Sequence, residues 1–230
     1  MSIPSVRPYH MPKEKELPAN IASWRIGLER SVLLIHDMQH YFIRCFPADQ
    51  PPVTDLIANI SRLRDCCVEM GIPIIYSAQP GGMNDAQRGL LKDFWGPGMS
   101  SEPMQRAIIP ELTPRSDDTI LTKWRYSAFH RTDLLEFMRS QRRDQIIICG
   151  VYAHVGCLMT ASEAFSNDIE TFLVVDAIAD FSDEYHRAAV TYAAQNCAVA
   201  LATATVLQTM TASPFQSTNP SLNIAGDERC

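Results

Sequence analysis

Gly150-Val151-Tyr152-Ala153-His154-Val155-Gly156-Cys157 sits between two hydrophobic patterns of different kinds. Before it, residues 145–149 form a short apolar run rich in isoleucine. After it, residues 158–166 carry apolar side chains at helical spacing. The order is strand, glycine-bounded tight turn, helix start. Such a turn leaves backbone N–H groups unpaired, facing a crevice where an anion or a developing negative oxygen can sit. Two earlier strand ends, His36-Asp37 and Thr122-Lys123, place an acid and a lysine in comparable positions. The three ends are expected to form one site.

Outward from that segment, strands alternate with helices. Strands are predicted at 31–35, 73–77, 119–122, 145–149, 171–175 and 198–201, and the continuous apolar run at 31–35 suggests a strand covered on both faces. Helical spacing covers 53–70, stopped by Gly71, then 132–139 with Thr132 as N-cap, 182–195 opened by Ser182, and 203–208. Residues 103–112 predict a short helix. Residues 1–29 read as an extended arm anchored by Trp24, 81–98 as a long irregular cover, and 209–230 as a disordered tail rich in Ser, Thr, Pro and Asn. The pattern predicts an α/β three-layer sandwich over 1–208, with a mostly parallel six-stranded sheet and helices on both faces. Ligands of such sheets bind beyond the carboxyl ends of the strands, where this reading puts Asp37, Gln79, Lys123, Tyr152 and Asp176.

Composition narrows the function classes. The chain has 230 residues, 46% of them apolar, which suits one large core. A net charge of -6 without a long basic run argues against nucleic acid as a partner. No apolar run approaches the roughly 18 residues of a membrane helix, and residues 1–18 lack a signal-peptide core. Seven cysteines, an odd number with two adjacent and several inside apolar runs, read as reduced thiols of a cytoplasmic protein. No metal and no cofactor are expected, since no C-x-x-C pair occurs and no Asp-x-His pair with a further histidine follows the second strand.

Each candidate group has a plainer reading beside the chemical one. Asp37 alone reads as a turn former or cap. A lysine ending a buried strand needs water or a carboxylate, so Asp37 and Lys123 make a pair that is either structural or catalytic. Cys157 is either a thiol nucleophile beside a helix start or a small buried hydrophobe, and burial is the better reading. His36 and His154 are general bases or packing and hydrogen-bonding groups; each sits one residue from a site position with its side chain turned away by alternation, which favours the second reading. Arg88 is a solvated charge or an anion clamp, and Phe94 and Trp95 are loop anchors or a pocket wall.

Five ordered blocks together resemble the isochorismatase family. They are Leu33-Leu34-Ile35-His36-Asp37-Met38-Gln39, Ala78-Gln79-Pro80, Phe94-Trp95-Gly96-Pro97-Gly98, Thr122-Lys123-Trp124-Arg125-Tyr126-Ser127-Ala128-Phe129 and Gly150-Val151-Tyr152-Ala153-His154-Val155-Gly156. The resemblance covers about residues 3–208. Residues 89–95 and 166–169 are similar to the phenazine-pathway branch, which acts on 2-amino-2-deoxyisochorismate. Siderophore-pathway members share most blocks, and many continue into a carrier domain. The tail here has no Gly-x-Asp-Ser pattern, so that domain is not expected.

The resemblance implies a hydrolase of the cysteine-hydrolase-like fold in which the wider superfamily's nucleophile position falls on Gly156. Covalent attack is then excluded and room is left for substrate or water. It also implies a non-proline cis bond near Val151-Tyr152, a homodimer, and a small anionic chorismate-derived substrate. On this reading Asp37 donates a proton to the methylene carbon of an enolpyruvyl ether, and Lys123 holds Asp37 and a substrate carboxylate in register. Gln79, Arg88, Tyr126, Tyr152 and Val155 contact substrate, with Phe94 and Trp95 covering it. Lys123 favours an ionised Asp37, the wrong state for an acid, so protonation is expected mainly in the complex.

Overall fold

The computed structural model describes residues 3–212. In chain order the elements are β1 (Ser31–His36), α1 (His40–Ile43), α2 (Val53–Glu69), β2 (Ile74–Ala78), α3 (Asp85–Arg88), α4 (Leu91–Trp95), α5 (Pro103–Arg106), β3 (Thr119–Thr122) and α6 (Leu134–Ser140). They continue with β4 (Gln145–Val151), a π-turn (Ala153–Cys157), α7 (Leu158–Ser166), β5 (Glu170–Ala179), α8 (Asp183–Asn196), β6 (Val199–Leu201) and α9 (Thr203–Ala212). The six strands pair in the order β3-β2-β1-β4-β5-β6, every pair parallel.

Period-2 geometry explains why the central strands carry no polar alternation. Leu33 and Ile35 of β1, with Ile147 and Cys149 of β4, face a core shared with Leu56, Ile60 and Leu63 of α2. Val32 and Leu34, with Ile146 and Ile148, face the opposite core beside Leu134, Ala161 and Ala189 of α6, α7 and α8. The result is the three-layer sandwich, with α2 and α9 on one face and α6, α7 and α8 on the other. The arm is tied down by Val6 N–H to the Cys45 carbonyl (2.7 Å), and Trp24 packs on the core.

Boundaries differ from the sequence reading in several places: α6 starts at Leu134 with Asp133, not Thr132, at the N-cap, and 103–112 holds α5 and a separate 3-10 turn at Pro110–Leu112. β5 does not end at Val175 but runs to Ala179 across a register shift in its pairing with β4. Asp176, expected at a ligand-facing strand end, lies inside that irregularity. There its carboxylate accepts from Thr203 N–H and Oγ1, both at 2.7 Å, at the start of α9. The region 81–98 is not irregular throughout, because it contains α3 and α4, and Asn84 caps α3 through Gln87 N–H. Residues 209–212 are helical and not part of a tail. α9 continues to Ala212, with Val206 and Met210 buried in the core, and the rest of that expected tail lies outside the described residues.

Candidate active site

The strand order reverses direction of growth between β1 and β4, which opens a crevice at their carboxyl ends. Asp37 stands there, one residue past β1, with φ 52°. Asp37 is 4% exposed, and its carboxyl receives three donors. Ser77 Oγ–H donates to Oδ1 at 2.7 Å, while Lys123 Nζ at 3.0 Å and Gln79 Nε2 at 3.3 Å donate to Oδ2. Lys123 is 2% exposed and also donates to the Arg125 carbonyl at 2.6 Å. Gln79 is held by its neighbour Gln39, whose side chain accepts from Gln79 N–H (2.8 Å) and donates to the Gln79 carbonyl (3.0 Å).

Asp37, Gln79 and Lys123 line a small cavity of about 50 Å³, shared with Gly156, Val155, Trp95, Tyr126 and Arg88. Its acid is Asp37 and its cations are Lys123 and Arg88. Arg88 is buried, at 6% exposed, and Nε–H donates to the Gly96 carbonyl at 3.0 Å. Among the described residues no carboxylate lies within ion-pairing distance of it. Burial without a counter-ion pulls its pKa down from the ordinary arginine value. Gly98, at φ 80°, is required beside it: a Cβ there would sit 2.7 Å from the guanidinium carbon. A buried acid and lysine with an unpaired arginine suit an anionic ligand that can exchange places with the Asp37 carboxylate on Lys123.

The isochorismatase domain profile matches residues 31–205. The chain belongs to the isochorismatase family. An isochorismatase of Bacillus subtilis (strain 168) is 52% identical over 223 residues, covering 97% of this chain and 72% of that protein. The phenazine biosynthesis protein PhzD1 of Pseudomonas aeruginosa is 54% identical over 206 residues, covering 90% and 99%. A crystal structure of a cysteine hydrolase from Pseudomonas syringae pv. phaseolicola 1448A superposes with TM-score 0.74 at 23% identity, covering 84% of this chain and 97% of that one, which attests the fold. Family membership makes the chain an isochorismatase-type hydrolase acting on a vinyl ether.

Within this isochorismatase-family site, nine of the expected residues meet at the cavity: Asp37, Lys123, Gly156, Gln79, Arg88, Trp95, Tyr126, Tyr152 and Val155. Phe94 does not. It is 64% exposed and lines an outer groove, because the single helical turn that points Trp95 inward points its neighbour out. Tyr152 lines the cavity with its ring, but its hydroxyl donates to the Phe42 carbonyl at 2.8 Å instead of facing a ligand. The Val151-Tyr152 bond is cis, as the resemblance implies.

The turn differs from the expectation in two respects. Its N–H groups are largely engaged: Val155 and Cys157 both donate to the Tyr152 carbonyl at 3.2 Å, and His154 donates to Asp180 at 2.6 Å. The room expected from Gly156 is taken, since a Cβ there would lie 2.2 Å from Cε1 of the His36 ring. Cys157 is fully buried, and burial pushes its thiol well above the ordinary value. Among the described residues no group of three or more His, Cys, Asp or Glu gathers as metal ligands would.

The sequence reading missed Ser77, Gln39, Tyr41, Phe42, Leu91 and Phe181. Tyr41 and Phe42 follow the Asp37 block directly and line the cavity, so proximity to that strand end was a usable signal. Phe181, its ring tilted against Tyr152 with centroids 4.2 Å apart, follows the true end of β5, which the polar Asp176 obscured. Ile3 of the arm also lines the cavity, and nothing in its local sequence marks it.

Proposed function

We propose that this chain hydrolyses 2-amino-2-deoxyisochorismate to pyruvate and trans-2,3-dihydro-3-hydroxyanthranilate, with Asp37 as the acid. The terminal methylene of the enolpyruvyl group takes the Asp37 proton and becomes a methyl, leaving an oxocarbenium ion. Water adds to that carbon and returns a proton to the Asp37 carboxylate. The hemiketal then collapses, moving its hydroxyl proton to the ring oxygen and releasing pyruvate. Protonation at carbon is slow without a positioned acid, which is the step the site assists.

The observation that carries this reading is the Asp37 carboxyl, buried and triply held between Ser77, Lys123 and Gln79, with a glycine at 156 beside it. The charges also fit. With Asp37 protonated, Lys123 and Arg88 leave the cavity with two positive charges for the two carboxylates of a chorismate-derived dianion. Cys157, fully buried with a raised pKa, has neither the access nor the thiolate character of a nucleophile.

Isochorismate, giving 2,3-dihydro-2,3-dihydroxybenzoate, is the second substrate reading. It is supported by the 52% identity to a protein named isochorismatase. Incubating the protein with each compound, and coupling pyruvate release to lactate dehydrogenase, decides between them; no pyruvate from either overturns the proposal. The reading includes a homodimer, for which exposed Leu90, Phe94, Met159 and Phe165 supply apolar surface, and light scattering on the eluted protein tests it. It also includes a cytoplasmic setting without nucleic-acid partners, in keeping with six free cysteines among the described residues and the net charge of -6.

A further inference from the structure

We propose that His36 is a positioning residue for this reaction, its imidazole wedged against Gly156 and joining the three strand ends that carry the acid, the lysine and the turn. The inference rests on the proposed role of Asp37, the residue that follows it. His36 does not line the cavity and is 0% exposed. Its Nδ1 lies 3.0 Å from the Val151 carbonyl, which can only accept, so Nδ1 carries the proton. Nε2, 3.2 Å from Thr160 Oγ1, is then the acceptor and the threonine hydroxyl the donor. Thr160 Oγ1 in turn accepts from Ala128 N–H at 3.0 Å. One directed chain therefore runs from Ala128, beyond Lys123, through α7 and the end of β1 to the end of β4.

In the neutral ring this tautomer satisfies every member of the chain. Burial holds it neutral, with its pKa pulled down to about 4, so it adds no charge beside Asp37 Oδ1, 3.8 Å away. Its Cε1 occupies the space a side chain at 156 would need. Ring and glycine form a close contact that sets the distance between Asp37 and the turn. A displacement of about 1 Å at such a site costs on the order of 10²-fold in rate.

The test compares His36→Ala, His36→Asn, Gly156→Ala and the double variant His36→Ala/Gly156→Ala for pyruvate release, with thermal melts of each. His36→Ala is expected to lose kcat by on the order of 10²-fold while KM stays within about threefold, because the ring touches no substrate. Asn keeps an N–H where Nδ1–H donates to Val151, and should recover kcat to within about tenfold of the parent. The kcat cost of Gly156→Ala should be at least about tenfold smaller without the ring than with it. If the His36 variants do not melt cooperatively, Thr160→Val and Thr160→Ser take their place, with the same split expected and Ser restoring it.

Three results would each overturn the inference: kcat retained within about threefold in His36→Ala (or in Thr160→Val where that pair is used), a rise in KM alone, or an equal cost of Gly156→Ala in both backgrounds. An Asp37→Ala variant that stays active would instead remove the reading beneath it, and the two failures are told apart by that control.

Discussion

Replacing Asp37 by Asn removes the transferable proton and the negative charge while keeping the shape. Three donors now converge on the carboxyl, from Ser77, Lys123 and Gln79. The amide can turn its NH2 toward Ser77, whose hydroxyl can accept, and leave its oxygen to Lys123 and Gln79. The polar contacts survive, but Lys123, 2% exposed, loses its counter-charge. Breaking one side of a buried pair costs about 3–5 kcal/mol of stability, so the variant should fold with a lower melting temperature. Its kcat should fall by on the order of 10²–10⁴, equivalent to about 3–5 kcal/mol of barrier. Affinity for an unreactive dicarboxylate analogue should hold or rise, because the site becomes more positive. Calorimetric titration in buffers of different ionisation heat gives the clearest reading. The parent should take up close to one proton per analogue bound, and the variant close to none. A variant keeping more than about a tenth of parental kcat, or a parent that binds without proton uptake, refutes the reasoning.

Arg88→Gln should raise KM by on the order of 10–10²-fold with a smaller effect on kcat, whereas Phe94→Ala, outside the cavity, should leave both within about threefold; the opposite ranking in steady-state assays would contradict the placement. His36 and His186 are both fully buried, and burial depresses each from 6.5 to about 4. The unfolded chain therefore binds more protons between those pH values, and stability is complete above pH 6.5 and lost as pH falls toward 4. Each histidine is worth up to about 3 kcal/mol, and a melting temperature flat across that window would show they are not buried neutral. Cys157→Ala should keep pyruvate release near the parental rate, and iodoacetamide should leave residue 157 unlabelled in the native protein by peptide mass mapping.

Most of the fold was legible because parallel strands buried on both faces write themselves as unbroken apolar runs. Residues 31–35 and 145–149 are such runs, and their burial on both faces fixed the sheet's centre. The same rule failed at β5, where Asp176 interrupts the run to hold the start of α9 and mimics a strand end. The acid and the lysine could be read because a charge ending a buried strand needs a partner. Ser77 could not, since a serine inside a strand carries no sign of which carboxylate it will meet. Phe94 was misplaced because the choice of inward neighbour depends on the phase of a helical turn too short to show a period. Gly156 was read as open space, when the ring that fills it comes from a residue 120 positions earlier in the chain.

The apparent contradiction of an acid beside a lysine is resolved by the two oxygens of Asp37. Oδ1 faces Ser77, which does not line the cavity, whereas Oδ2 faces Lys123 and Gln79, which do. If Asp37 is the acid, the proton delivered to carbon leaves from Oδ2. In the resting site that oxygen already accepts two donors, at 3.0 and 3.3 Å, and its lone pairs are occupied. On the proposed mechanism one of those donors gives way when the substrate binds. A substrate carboxylate arriving at Lys123 supplies the competing acceptor, and Arg88 supplies the second cation that draws it in. The Lys123 hydrogen bond to the Arg125 carbonyl would anchor the amine through such an exchange. On the proposed mechanism, binding the dianion at Lys123 and freeing Asp37 Oδ2 to act on the substrate are one event, and the ion pair is the contact that links them.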